Sequence, residues 1–438
     1  AASMTNILDK ILRDKNFTEL IAGSGFVLFF KILGMGGGYV FTYLITQLLG
    51  TESYGVYTIC FTLLSATVVI SKLGLDNASV KSISAFLKED EPGNALLYFR
   101  KSFAIVAISS SLVCSILYFS SEWLAQLFGN QLLDNGIKVV ALIVLPNALL
   151  HIQAEKYRGL KKMGWYSLLI NGSITLIAAG ILLILYNVYG NITELSLFAL
   201  GSSISLLLIL VSFRSAFKVI APSWSSISYR SIFKLSIPML LSGSMFLVMS
   251  WTDVLLLGYY LDETQVAIYS IAFKISTVVT IALYAINAIA SPQFSELHES
   301  DQALQLKAHA MKIAKLNLFL TIPIILGIVV FSSFILAFFG EDYLAGQSVL
   351  LILCAGQFFS ATCGSVLTLL NMAGKEKVVR NIVGATALLN IGLNAILINL
   401  YGIEGAAIAT FVSLVIWNIL GLIAVKKYFG FVLLPFAN

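Results

Sequence analysis

The amino-acid sequence predicts an all-α, polytopic membrane protein with twelve transmembrane helices in two six-helix lobes. Three observations predict it. The 438 residues are 58% hydrophobic and 11% charged, with mean hydropathy +0.92, more apolar surface than a water-soluble core can use. The apolar stretches are continuous rather than alternating, which fits helices and not a transmembrane β-barrel. The charges sit in short segments between those stretches, and their sign alternates along the chain.

A helical span needs about 20 mainly apolar residues. Twelve runs qualify: 20–49, 54–75, 96–119, 137–153, 165–188, 193–217, 235–260, 265–291, 313–339, 345–371, 378–401 and 404–426. The turns after odd-numbered spans carry Glu52, Glu122, Asp134, Glu194, Asp262, Glu263, Glu341, Asp342 and Glu404. Their one basic residue is Lys138, at the edge of span four. The turns after even-numbered spans, and both termini, carry nearly all the remaining Lys and Arg, such as Lys156, Arg158, Lys161, Lys162, Lys375, Lys377 and Arg380. By the positive-inside rule both termini are expected to be cytoplasmic. The first apolar run is too long for the h-region of a signal peptide, so no cleaved leader is expected. The segments 76–95 and 292–312 read as short amphipathic cytoplasmic helices, and no extracytoplasmic turn has room for a soluble domain.

The remaining composition narrows the function. A net charge of +5 spread over these turns suits an anionic leaflet rather than nucleic acid. Cys60, Cys114, Cys354 and Cys363 lie in apolar runs without a CxxC pair, so they read as small core residues. His151, His298 and His309 form no metal-like constellation.

A shift of about 212 residues superposes the two halves. It carries "YGVYTI" (54–59) onto "VAIYSI" (266–271), matching Tyr57 to Tyr269, and "NVYGNI" (187–192) onto "NLYGIE" (399–404). Span one falls on span seven. An even number of spans per repeat keeps both halves in one orientation, so they are parallel repeats. The expected division is a lobe of 1–218, a cytoplasmic linker of 219–234 and a lobe of 235–438. Two such lobes enclose a central cavity and rock about it, which favours a transporter over a channel.

Three charges lie deep in these spans: Lys31, Asp253 and Lys274. An intramembrane ionisable residue marks a functional candidate. Lys72, at the end of span two, instead snorkels. Asp253 and Lys274 flank one short turn at roughly 14–17 Å below it, which places them at one depth on neighbouring helices and makes an ion pair the expectation. The pair is either structural or a coupling switch. Lys31 and Lys274 offer cations for an anion of more than one negative charge, such as a diphosphate. Tyr39, Tyr43, Trp251, Tyr284 and Asn287 are candidate sugar contacts, with Asn371, Asn390 and Asn394 as further amides. Interfacial belts and helix bridging are the competing uses. Above Lys31, Gly34, Gly36, Gly37 and Gly38 weaken span one, either as a hinge or to permit close helix packing.

The stretch "LITQLLGTESYGVYTICFTLLSATVVISKLGLDNASVKSISAFL" (44–87) resembles the start of Wzx-type polysaccharide and O-antigen repeat-unit flippases. "LSIPMLLSGSMFLVMSWTDVLLLGYYLDETQVAIYSIAFKI" (235–275) resembles their seventh and eighth spans, and "RGLKKMGWYSLL" (158–169) their basic fourth turn. The resemblance implies the multidrug/oligosaccharidyl-lipid/polysaccharide (MOP) exporter fold and a non-enzymatic flippase. Its implied substrate is a polyprenyl-diphosphate-linked oligosaccharide, turned from the cytoplasmic to the outer face of a bacterial inner membrane. It also implies coupling to an ion such as H+ or Na+ or to the membrane potential, and assembly proteins as partners of a monomer. Lys31 falls where the family carries a cation in span one. The rival transporter is a MATE-like drug exporter, whose early acidic site has no counterpart in spans one and two. The rival outside transport is a membrane enzyme acting on the same lipid, for which the turns supply few acids.

Overall fold

The computed structural model describes residues 15–170, 173–189, 207–208, 227–300 and 302–433. Among them there is no strand; the chain is helical almost throughout. In hydrocarbon every backbone N–H and C=O needs an internal partner, and the helix supplies one within the segment. The elements are α1 (Lys15–Lys72), α2 (Leu75–Lys88), α3 (Pro92–Phe119), α4 (Ser121–Leu127), α5 (Leu132–Gly159), α6 (Met163–Ile170) and α7 (Ser173–Tyr189). They continue as α8 (Tyr229–Tyr260), α9 (Glu263–Ser276), α10 (Thr280–Glu299), α11 (Ala303–Val330), α12 (Ser332–Phe339), α13 (Gln347–Cys363), α14 (Val366–Met372) and α15 (Glu376–Phe429).

Seven helices among the described residues are long and apolar enough to cross a membrane. Two of them are double. In α1 the backbone leaves helical geometry at Gly50 (φ 85°, ψ 176°), and in α15 at Gly402 (φ 59°, ψ −135°). Each glycine falls between two predicted spans. A left-handed φ at these points costs a side-chain-bearing residue more than it costs glycine. The expected spans therefore fall on helical segments, apart from 193–217, of which only 207–208 are among the described residues. Large apolar side chains face outward, including Phe119 (85% exposed) and Leu388 (73%). Such outward faces are the reverse of a soluble bundle and mark a multi-pass membrane protein.

One expectation fails. The segment 292–312 is not a separate amphipathic helix. α10 continues to Glu299 and α11 starts at Ala303, so two long helices meet there. The hydrophobic run stops before the backbone hydrogen bonding does. The helix α8 begins at Tyr229, inside the expected linker, whose earlier residues lie outside the described ones.

The contacts divide the chain into two units. The first comprises Ala1–Ile45, Thr67–Ser121 and Asn135–Leu241. Here the amphipathic α2 packs on α3, burying Ile83, Ala95 and Phe99 together. Lys72 is paired with Asp76 at 2.9 Å. Burial alone would raise the Asp76 carboxyl, but the adjacent Lys72 ammonium, the Asn77 N–H and His151 together hold it below its usual value. Lys156, 2% exposed, lies 4.7 Å from the centres of both the Phe99 and Tyr157 rings.

The second unit comprises Thr46–Ala66, Glu122–Asp134 and Ser242–Asn438. One of its cores joins α10, α11, α14 and α15 through Phe294, Ala310, Leu369, Val383 and Val425. At its acidic turns, early residues are bonded to late ones. Gln47 donates to the Phe339 carbonyl at 3.1 Å, Thr51 to Asp342 at 2.7 Å, and Asn130 to Glu263 at 2.7 Å. A Cβ on Gly55 would lie 1.9 Å from the Glu263 carbonyl oxygen, so only glycine permits this approach. A Cβ on Gly36 would meet nothing within 4 Å. Gly55→Ala should therefore lower the thermal midpoint in detergent by the equivalent of about 1–3 kcal/mol. Gly36→Ala should leave it unchanged or raise it slightly.

Candidate functional site

Among the described residues of the second unit, the buried carboxylate is Asp253, on α8 and 1% exposed. Three helices are joined at its carboxylate. Tyr269 of α9 donates its hydroxyl to Oδ2 at 2.7 Å. Thr410 of α15 donates to the same oxygen at 2.7 Å. Asn394, earlier in α15, donates to Oδ1 at 2.8 Å and shares that amide with the Asn390 carbonyl at 3.0 Å. The break at Gly402 lets one continuous element reach the carboxylate twice, from Asn394 before it and Thr410 after it. A tight approach at Gly405, whose Cβ would lie 2.0 Å from the Leu397 carbonyl oxygen, keeps that hairpin closed.

All three donors are neutral, and Lys274 is not among them. The expected Asp253–Lys274 ion pair is thus replaced by a hydroxyl and amide cage. The depth estimate was sound along the helix axis but ignored direction around it. Tyr269 takes the α9 face opposite Asp253, and Lys274, five residues further on, lies well round the helix. Lys274 is half-buried in the last turn of α9. Immediately after it, Thr277–Val279 form a 3₁₀ segment within predicted span eight. Hydroxyls support this irregular stretch: Thr277 donates to the Lys274 carbonyl at 2.7 Å and Thr280 to the Thr277 carbonyl at 2.6 Å. Irregular backbone at membrane depth is tolerated where protein or a hydrated cavity surrounds it.

Around the cage, buried polar atoms remain unfilled. The Oδ1 atoms of Asn390 and Asn394 have no hydrogen-bond partner, although both residues are fully buried. An unfilled buried polar atom costs about 1–3 kcal/mol. Hydrogen bonds from several neutral donors offset part of the cost of burying a carboxylate. Carboxylate, amide and hydroxyl oxygens together form the donor set that a hard cation prefers. No cluster of three His, Cys, Asp or Glu suited to a metal ion occurs among the described residues.

The other predicted residues are placed as follows. Lys31, Tyr39 and Tyr43 are half-buried on α1, in the first unit. The helix runs unbroken through Gly34, Gly36, Gly37 and Gly38; the break is at Gly50. Open space around a Cβ at Gly36 removes close packing as its reason. Trp251 and Asn287 are half-buried in the second unit, and Asn287 Oδ1 has no hydrogen-bond partner. The side chain of Tyr284 lies outside the described residues. Thr410 was missed by sequence reasoning. The spacing Asn390-x3-Asn394 within an apolar run was its nearest signal, since it puts two amides on one helix face.

Set beside known proteins, residues 44–347 match the model of a family described as polysaccharide biosynthesis protein. The chain belongs to that family. A curated relative, the probable low-salt glycan biosynthesis flippase Agl15 of Haloferax volcanii, is 26% identical over 407 residues, covering 91% of this chain and 82% of the relative. A solved inward-facing multidrug resistance MATE family transporter of the MOP superfamily superposes with TM-score 0.73 at 13% identity, over 90% of this chain and 94% of that one. The lipid II flippase MurJ, in an inward closed conformation, superposes with TM-score 0.65 at 19% identity, over 93% and 87%. The MOP exporter fold expected from the sequence is therefore the fold of this polysaccharide biosynthesis family member.

Removing one donor from the cage gives a direct check. Thr410→Val should cost about 1–3 kcal/mol in thermal unfolding. Much of that cost should vanish in an Asp253→Asn background, because contacting residues are energetically coupled.

Proposed function

We propose that this protein is an alternating-access flippase for a polyprenyl-diphosphate-linked oligosaccharide, a repeat unit of a surface polysaccharide. It moves the head group from the cytoplasmic to the outer face of the plasma membrane. Both termini are cytoplasmic in this reading, and the acidic turns face outward. The observation that carries it is the Asp253 cage: a buried carboxylate within a MOP-fold bundle, with oxygen donors left unfilled. The family match and the glycan flippase named among its relatives support the class of cargo.

In this mechanism Lys31 and Lys274 neutralise the diphosphate, while Tyr39, Tyr43, Trp251, Tyr284 and Asn287 contact sugar. The prenyl tail stays in lipid. Asp253 binds the coupling ion, a proton or Na+, with Asn390, Asn394, Thr410 and Tyr269 completing the oxygen set. Filling the cage tightens the join between α8, α9 and α15, so the ion biases which state the bundle prefers. The bonds from Gln47, Thr51 and Asn130 to the acidic turns close the outer end and must break when cargo leaves. Gly34, Gly36, Gly37 and Gly38 let span one bend as cargo enters from the side. No covalent step is required of any residue.

Reconstitution tests the reading. In vesicles, the protein should move fluorescently labelled lipid-linked oligosaccharide across the bilayer without changing its covalent structure. Lys31→Ala and Lys274→Ala should each reduce the rate about tenfold or more while protein still reaches the membrane, since each removes an ionic contact worth at least ~1.4 kcal/mol. Full transport in both would sink the anchor assignment. Asp253→Asn should abolish the dependence of rate on the ion gradient; an unchanged ion response makes Asp253 purely structural. Replacing Gly36, Gly37 and Gly38 together by Ala should slow transport without lowering expression or substrate binding.

A further inference from the structure

The predicted span 345–371 is not one helix. α13 ends at Cys363, Gly364 takes the backbone into left-handed space (φ 67°, ψ −149°), and α14 starts at Val366. The break is pressed onto α11, since a Cβ on Gly364 would lie 2.9 Å from the Ala314 Cβ. A helix that stops inside an apolar run leaves its last carbonyls in need of partners. Asn317, one turn along α11 from Ala314, supplies one. Its amide nitrogen donates to the Ala361 carbonyl at 3.0 Å, which also accepts from the Gly364 N–H at 3.1 Å.

Side-chain oxygens around this helix end are left open. Asn317 Oδ1, Thr321 Oγ1 and Ser365 Oγ have no hydrogen-bond partner, although the residues are only 0%, 1% and 3% exposed. Two of them forgo an easy local bond. Buried hydroxyls elsewhere in the unit donate to the carbonyl four residues back, as Thr386 does to Ile382 and Ser413 to Ala409. Thr321 does not. Ser365 holds the N-cap position of α14 and yet makes no side-chain cap. Asn317 and Thr321, four residues apart, share one face of α11. Ser365 directly follows the glycine that touches that face one turn earlier.

The open atoms suit a cation. Asn317 Oδ1 can only accept, and hydroxyl oxygens can accept as well as donate. The end of α13 adds carbonyls at the negative end of its dipole. The nearest basic residues on α11, Lys312 and Lys315, are exposed and lie about 140° and 160° round the helix from Asn317. Neutral oxygens at a broken helix end are a recurrent way to hold a small cation at membrane depth.

We propose that a monovalent cation binds at this break, held by Asn317 Oδ1, Thr321 Oγ1, Ser365 Oγ and last-turn carbonyls of α13. The ion ties α11 to the joint between α13 and α14. The site shares no residue with the Asp253 cage.

The test is thermal unfolding of the full chain in detergent, in sodium, potassium or choline chloride at one ionic strength. Asp253→Asn is the background, so that the cage carboxylate does not contribute. Sodium should raise the midpoint by about 2 °C or more over choline. Asn317→Ala should lose most of that rise. Thr321→Val, which exchanges the hydroxyl for a methyl, should move half-saturation to about tenfold higher sodium, and it serves if the Asn317 variant fails to fold. Thr362→Val should keep the rise, because that hydroxyl already donates to the Phe358 carbonyl. An equal, Asn317-dependent rise with potassium supports the site and makes it unselective. No cation-dependent rise in the Asp253→Asn background, or a rise that Asn317→Ala and Thr321→Val both retain in full, would overturn the proposal and leave water as the occupant.

Discussion

The carboxylate of Asp253 organises the second unit because three helices share it as an acceptor. α8 brings the charge, α9 brings Tyr269, and α15 brings Asn394 and Thr410 from either side of its break. In a bilayer the apolar effect does not press helices together, because lipid is as apolar as the side chains. Association must come from packing and from polar contacts that lipid cannot offer. A buried carboxylate that takes its donors from several helices supplies both position and specificity. It also leaves the unit sensitive to whatever shares the cage, since a proton or a cation changes the charge at the point where the helices join.

The same economy of polar contact is seen at the acidic turns. Glu263 and Asp342 accept from Asn130 and Thr51, and Glu404 accepts from Ser348 at 2.7 Å. These acids mark the turns by their charge. In the structure they also act as acceptors for neutral donors drawn from distant parts of the chain. Such bonds are individually modest, about 1–3 kcal/mol when one partner is charged.

Much of the fold was legible from charge and hydropathy. The alternation from Glu52 to Glu404 marked the turns, and two single glycines, Gly50 and Gly402, fall where span boundaries were read. The end of span eight was not legible, because a helix carries on past its apolar run and nothing in composition marks the difference. The site was half legible. Asp253 stood out as an acid inside an apolar segment. Its partners did not, because Thr410 resembles any threonine on an apolar helix, and Lys274 seemed the natural counter-charge when only depth was considered. Azimuth around a helix depends on its packing partners, and a single sequence does not state those. The glycine cluster above Lys31 was conspicuous by composition, yet the backbone turns at Gly50 instead.

The turn at Gly402 has a consequence for how this protein can be altered. Asn394 lies eight positions before the turn at Gly402 and Thr410 eight positions after it. One residue added or removed there would swing Thr410 about 100° around its axis and draw it from the carboxylate. The hairpin therefore behaves as a ruler. A piece exchanged across this turn must match in length before it matches in chemistry.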